Sequence, residues 1–264
     1  MITIVEPSYE ICKYDLETIK TALKKIEWCG RKCYKSEDKI MDDSASKFVK
    51  DKIKSGHHSM IEHVSITVNA ILDRGVSHEL VRHRIAAYSQ ESTRYCNYVK
   101  KGGCVFIKPL FFPGIPVGTF DSNIIARCDL NAKEQTWLSS MFNAASDYEA
   151  LTAYGCSPQE ARSVLPNSTK TEIVMTFNLR EWRHVLSLRA LGTAGKPHPQ
   201  MVEIMEKIYD KFSDILPEIF DNLDIDVKRK ELVRDIAKYD YDKDFVHELV
   251  GEFYNFIERA IYLQ

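Results

Sequence analysis

Apolar residues along the chain follow two periods, one helical and one extended. Leu16, Ile19, Leu23 and Ile26 recur at helical spacing, which predicts an amphipathic helix over residues 15–35. Residues 44–55 read as a second helix, with Ser44 as its cap and Gly56 as its stop. Val64-Ser65-Ile66-Thr67-Val68-Asn69-Ala70 alternates apolar and polar positions and reads as a strand. Gly75-Val76-Ser77 then opens a helix carrying Glu79, Leu80, Arg82 and His83, whose polar end runs into a loop. Residues 96–130 are the least legible, because Lys101-Gly102-Gly103 and Phe112-Pro113-Gly114-Ile115-Pro116 are rich in turn formers. Beyond them the pattern predicts a long helix over 131–154. A short helix starts at Ser157-Pro158 and ends near Pro166. A strand covers 171–178, and helices cover 180–191 and 200–216, joined by a loop from Gly192 to Pro199.

Strands and helices do not alternate regularly, so the expected class is α+β, with an antiparallel or mixed sheet flanked by helices. After residue 221 a Lys/Asp-rich stretch leads to an apolar helix over 244–262. The expected organisation is therefore one domain over 1–220 and a C-terminal helical extension over 221–264.

Composition narrows the picture. A 44% hydrophobic content with 28% charged residues is that of a chain able to bury its own core. A formal net charge of −2 supplies no global field for nucleic acid or a membrane surface. The basic residues are unevenly spread: residues 74–189 hold nine Arg and five Lys, the rest four Arg and eighteen Lys. Cys12, Cys29, Cys33, Cys96, Cys104, Cys128 and Cys156 are odd in number and scattered. Met1-Ile2-Thr3-Ile4-Val5-Glu6 lacks the basic and apolar parts of a signal peptide. Reduced cysteines in a cytoplasmic protein are expected. Cys29 and Cys33 have no second cysteine pair to make a zinc site. No run approaches the ~18 apolar residues of a membrane span.

The arginine selection is sharpest in Arg82-His83-Arg84-Ile85-Ala86-Ala87-Tyr88-Ser89-Gln90-Glu91-Ser92-Thr93-Arg94-Tyr95. Arginine is a planar fork of donors suited to phosphate and carboxylate, so the segment reads as an anion-binding site for phosphorylated ligands. The plainer alternative is a solvated, salt-bridged helix.

Arg-His-Arg, seven residues, then Ser resembles the signature of the flavin-dependent thymidylate synthases, the thymidylate synthase-complementing protein family. The commoner form has Ser, Asn and Glu where this chain has Ala87, Ser89 and Gln90. Four further segments are similar to that family in the same order, between about residues 50 and 205. They are Gly56-His57-His58-Ser59-Met60-Ile61-Glu62-His63, Glu79-Leu80-Val81-Arg82, Glu160-Ala161-Arg162-Ser163-Val164-Leu165-Pro166, and the run from Asn178 to Ala190 containing Arg180, His184 and Arg189. His198-Pro199-Gln200 resembles a further landmark.

The resemblance implies the family's fold with a non-Rossmann FAD site, in keeping with the lack of a glycine-rich dinucleotide fingerprint. It implies that His57, Ser59, Glu62, Arg82, His83, Arg84, Gln90, Asn178, Leu179, Arg180 and His184 hold FAD, Ser59 across a subunit boundary. It assigns deoxyuridine monophosphate (dUMP) to Glu79, Leu80, Val81, Arg82, Gln90, Glu91, Ser92, Thr93, Arg94, Arg162 and Arg189. Arg189 would activate the pyrimidine, and no resident metal is expected. The implied reaction converts dUMP to thymidine monophosphate with carbon from methylenetetrahydrofolate and electrons from NADPH by way of FAD. Homotetramers sharing active sites between subunits are also implied.

Bland readings stand beside these. Glu79 and Arg82 are i,i+3 neighbours suited to a surface ion pair. Arg162 lies in a small, apolar stretch, where a buried arginine needs a partner. Ser92 and Cys96 could be weighed as nucleophiles, but neither has a base at a readable spacing; Ser92 reads as a phosphate ligand and Cys96 as structural. A non-catalytic nucleotide- or RNA-binding protein using the same arginines, with Tyr88, Tyr95 and Tyr98 to stack bases, or a metal-dependent hydrolase using His57, His58, His63 and His83, are the competing function classes.

Overall fold

The computed structural model describes residues 1–121, 130–221 and 223. In chain order its main elements are β1 (Ile2–Val5), β2 (Ser8–Ile11), α1 (Leu16–Tyr34), α2 (Ser44–Lys54), β3 (Ser65–Asp73), α3 (Arg74–Leu80) and β4 (Ala87–Gln90). There follow β5 (Cys104–Ile107), β6 (Gly118–Phe120), α4 (Ala132–Ala153), α5 (Pro158–Ala161), β7 (Lys170–Asn178), α6 (Leu179–Arg189), α7 (Pro199–Ile215) and α8 (Pro217–Phe220). The predicted helix over 244–262 lies outside the described residues, as does nearly all of the predicted extension.

The longest strands, β3 and β7, pair antiparallel over nine residues, from Ser65 opposite Asn178 to Asp73 opposite Lys170. They form the centre of a four-stranded antiparallel sheet in the order β2-β3-β7-β4. Alternation sends Ile66, Val68, Ala70 and Leu72, with Ile173, Met175 and Phe177, to one face. There they join Ile26, Val49, Trp182, Val185 and Ile208, from the helices, in one core. Trp182 is wedged edge-on between Phe177 (centroids 4.5 Å apart) and Phe212 (4.9 Å), and its Nε1 donates to the Ile66 carbonyl at 2.9 Å.

A second, three-stranded sheet has the order β5-β1-β6, parallel between β1 and β5 and antiparallel between β1 and β6. Its core joins Ile2, Ile4, Phe106 and Phe120 to Leu138, Met141 and Tyr148 of α4. That helix opens with a reciprocal cap: Asn131 accepts from the backbone of Lys133 and Glu134, and the Glu134 carboxylate accepts from the Asn131 amide. The class is α+β, as the pattern predicts, with two sheets, one antiparallel and one mixed, where a single sheet is expected.

Several local expectations differ. Ser44 does not cap α2; it is the first helical residue, accepting from the Met41 amide and donating to the buried Glu27 carboxylate. Gly56 does stop the helix, at φ +76°. The helix expected to carry Arg82 and His83 ends at Leu80 and leaves both in the following turn. Part of the segment read as loop, Ala87–Gln90, is an edge strand against β7. Strands of three or four residues offer too few alternations to be seen in sequence, which also hid β1, β2, β5 and β6.

Candidate active site

Two strand-to-helix switches, at opposite ends of the antiparallel β3–β7 pair, build the site. Asp73 ends β3 and caps α3, its carboxylate accepting from the Val76 amide at 2.8 Å. Asn178 ends β7 and caps α6, its side-chain oxygen accepting from the Glu181 amide at 2.9 Å. The cap sets the phase of α6. Leu179, Trp182, Val185 and Leu186 enter the core, while Arg180, Glu181 and His184 border a cavity.

That cavity measures about 600 Å³. Asn178, Arg180, Glu181 and His184 form one wall; Arg82, His83, Arg84 and Ile85, in the turn after α3, form another. Glu62 completes the lining and pairs with Arg180. Three guanidiniums converging with two imidazoles could hold a dinucleotide: arginine forks suit a diphosphate, and rings and Ile85 suit a planar heterocycle.

The turn is braced from behind. The Tyr88 hydroxyl lies within hydrogen-bond reach of the carbonyls of Leu80 (2.7 Å) and His83 (2.8 Å), which share its single proton. His83 is buried, its Nδ1 lying 3.8 Å from Glu181 Oε1, and its Nε2 accepts from Arg189 Nε at 3.0 Å. Burial, then the charges of Arg189 and His184, bring the His83 pKa from the usual 6.5 down to about 4. Burial also raises the Glu181 carboxyl above its ordinary range. Arg189 Nη1 reaches Glu79 Oε2 at 3.2 Å, so Glu79 pairs with an arginine 110 residues away rather than with Arg82.

The thymidylate synthase complementing protein family matches residues 16–218. The chain belongs to that family. It is an enzyme of the flavin-dependent thymidylate synthase kind, a methyltransferase. A flavin-dependent thymidylate synthase of Geobacter sulfurreducens is 36% identical over 177 residues, covering 64% of this chain and 69% of the relative. One from Mycobacterium avium is 32% identical over 207 residues, covering 76% and 79%. Among solved structures, thymidylate synthase X of Helicobacter pylori with FAD and dUMP aligns at a TM-score of 0.59 and 20% identity, over 83% of this chain and 98% of that one. PolB of Streptomyces cacaoi, a UMP/dUMP methylase, aligns at 0.63 and 23%, over 83% and 95%. These two likenesses bear on the fold.

Of the residues that the family resemblance assigns to FAD, Glu62, Arg82, His83, Arg84, Asn178, Arg180 and His184 come together around the cavity. His57, Ser59 and Gln90 lie outside its lining. His57 is exposed and meets the Tyr34 hydroxyl at 3.1 Å, and Ser59 is the exposed first residue of a short 3-10 helix whose Met60 and Ile61 enter the core. The Gln90 amide donates to Ser77 (2.9 Å) and Thr171 (3.1 Å). The Leu179 and Leu80 side chains are buried in the core, leaving only backbone for a ligand, whereas Val81 is exposed.

The residues assigned to dUMP divide. Glu79, Arg82 and Arg189 sit by the cavity; Ser92, Thr93, Arg94 and Arg162 form a second cluster. In it Arg162 Nη1 donates to Thr93 Oγ1 at 3.0 Å, and Arg94 lies over the Tyr95 ring at 5.4 Å. Arg162 is exposed, not buried as its apolar neighbours suggest, because the turn it starts points it outward. Glu91 gives its carboxylate to Lys170 (2.8 Å) and the Tyr98 hydroxyl (2.9 Å). Gln200 of the His198-Pro199-Gln200 landmark donates to Asp73 at 2.9 Å, tying α7 to the first cap.

Sequence reasoning missed Glu181 and Ile85. The available signal for Glu181 was an acid three residues after a capping Asn, which reads as helix-start chemistry and conceals a carboxylate facing the site. Base stacking and the hydrolase reading lose the residues they need, whereas the arginines shared with a nucleotide-binding protein do come together. Tyr98 is buried and Tyr88 is committed to the turn, so of the three tyrosines only Tyr95 offers an open ring. The four histidines of the hydrolase reading do not assemble: among the described residues the one cluster with metal-ligand geometry is His83, Glu181 and His184. Four nearby guanidiniums, Arg82, Arg84, Arg180 and Arg189, make it an unfavourable seat for a cation.

Proposed function

We propose that the protein methylates dUMP to thymidine monophosphate, taking carbon from methylenetetrahydrofolate and electrons from NADPH through FAD held in the cavity. The observation that carries this reading is the convergence of Arg82, Arg84, Arg180, His83, Asn178 and His184 on one cavity beside a restrained Arg189. The donor set fits a flavin dinucleotide: Arg82, Arg84 and Arg180 would take the diphosphate, and His83, His184 and Ile85 would border the ring system. Bound FAD would supply the redox chemistry. Arg189, with guanidinium hydrogens left beyond those given to His83 and Glu79, would bind the pyrimidine and stabilise negative charge developing on it. Ser92, Arg94 and Arg162 would take the phosphate.

Those phosphate ligands belong to a cluster separate from the cavity, which supports a site completed by a second copy within a homotetramer, with Ser59 reaching a neighbour's flavin. Free thiols at Cys12, Cys29, Cys33, Cys96, Cys104 and Cys156 suit a reducing cytoplasm. No helix among the described residues is long and apolar enough to cross a membrane.

The test is an anaerobic assay of the purified protein with dUMP, methylenetetrahydrofolate and NADPH, with and without FAD, and with UMP in place of dUMP. Thymidine monophosphate formed only when FAD is bound is the expected result. No product from a yellow, FAD-loaded protein would overturn the reading. Preferential methylation of UMP would move the substrate to the ribonucleotide.

A further inference from the structure

We propose that Glu181 is a positioning residue that holds His83 in the Nδ1–H tautomer, so that His83 Nε2 aims the Arg189 guanidinium. The proposal rests on the pyrimidine role given to Arg189 above.

The geometry is a chain of four groups. Arg189 Nε is only a donor, and it lies 3.0 Å from His83 Nε2. That nitrogen must accept, so the proton of the neutral imidazole is on Nδ1. Nδ1 faces Glu181 Oε1 at 3.8 Å, too long for a direct hydrogen bond but close enough for a carboxylate to favour a proton there. Both side chains are buried, so little solvent screens the pair. At the other end Glu79 Oε2 takes Arg189 Nη1 at 3.2 Å. The plane of the guanidinium is thereby set by two acceptors, one on each side.

The alternative tautomer shows why a carboxylate is needed. A proton on Nε2 would point at the Arg189 N–H, opposing donor to donor. The guanidinium would swing about its Glu79 contact, and the preorganisation on which charge stabilisation depends would be lost. Burial, and the positive charge of Arg189 beside the ring, discourage a second proton. Glu181 selects which nitrogen carries the only one. Its own place is fixed by the α6 cap, through the Glu181 amide bonded to Asn178.

Nitrogen-15 NMR of histidine-labelled full-length protein reads the tautomer directly, without turnover. Wild type should show His83 neutral with its proton on Nδ1. Glu181→Leu should give mixed tautomers and an approximately tenfold loss of turnover per bound FAD, whereas Glu181→Asp, which keeps the charge, should restore most of both. A proton on Nε2 in wild type overturns the proposal. So does a Glu181→Leu protein that keeps the tautomer, or one that changes tautomer while turning over normally. If Glu181→Leu fails to fold, the wild-type spectrum and Glu181→Asp still decide. A wild-type protein with the stated tautomer that forms no product from dUMP would remove the functional reading and leave the Glu181–His83 relation standing.

Discussion

Arg189 donates one N–H to His83 and another to Glu79, which leaves part of a fixed fork for a ligand. Arg189→Ala should therefore abolish methyl transfer while the FAD spectrum persists. Loss of a preorganised group facing developing charge costs about 2.7–4 kcal/mol, or on the order of a hundred- to a thousandfold in rate. Product formed per bound FAD, measured beside dUMP affinity, checks this; near-normal turnover would reduce Arg189 to a partner of Glu79. Arg94 is exposed and shares a turn with Ser92, whose hydroxyl accepts from the Arg94 amide at 3.3 Å. Arg94→Lys keeps the charge but not the fork, and should weaken dUMP binding by roughly 1.5–3 kcal/mol in a calorimetric titration. His83 makes a pH prediction. Its pKa is about 4 in the folded protein against an ordinary 6.5, so below pH 6.5 the unfolded chain binds the proton first. Stability should fall as pH is lowered from about 6.5 towards 4. Glu181, raised by burial, acts in the opposite sense over the acid range. Urea midpoints of wild type and His83→Gln at pH 7.5 and pH 5 isolate the histidine part, and the variant should lose less.

At the scale of elements, the site depends on where strands stop and helices start. Asn178 is at once the last residue of β7, the cap of α6 and part of the cavity lining. Asn178→Ala should cost about 1 kcal/mol from the lost cap, visible in chemical denaturation, and Asn178→Asp should recover it. A fully recovered stability without recovered FAD binding would separate its two roles. Trp182 carries the packing of α6 on the sheet. Trp182→Ala should cost about 3–5 kcal/mol, with the Ile66 carbonyl left without its indole donor. The long strands and the helices were readable because nine or more residues repeat a period, and because burial follows that repeat. The helix before Arg82 was placed too long because Leu80, Val81 and Ile85 extend the apolar pattern. Bonds to the Leu80 and His83 carbonyls from Tyr88, itself held in place by the pairing of β4 with β7, settle the backbone there as a turn.

At the scale of the molecule, one chain carries two separate clusters of the residues proposed to bind ligands, and the proposed reaction needs both together. Light scattering should show a homotetramer, and subunit dissociation should release FAD with it; a monomer that keeps stoichiometric FAD would rule out shared sites. Residue types at ordered separations determined the chemistry and the family: arginines for anionic ligands, the Arg-His-Arg signature with Ser92, and the run from Asn178 to Arg189. Local period determined the class of fold. The tertiary structure decided which of those residues meet. Arg189 and His83 are 106 residues apart, and they touch only because β3 and β7 pair in one register and the helices that follow them, starting from opposite ends of that antiparallel pair, bring the two residues together. The same pairing set Glu181 behind His83 and gave Glu79 a distant partner. Outward-facing Arg162, against its apolar surroundings, was likewise decided by the direction of a single turn. Periodicity specifies which face of an element is buried, but the partner across the gap depends on register between segments far apart in the chain, which no local pattern records.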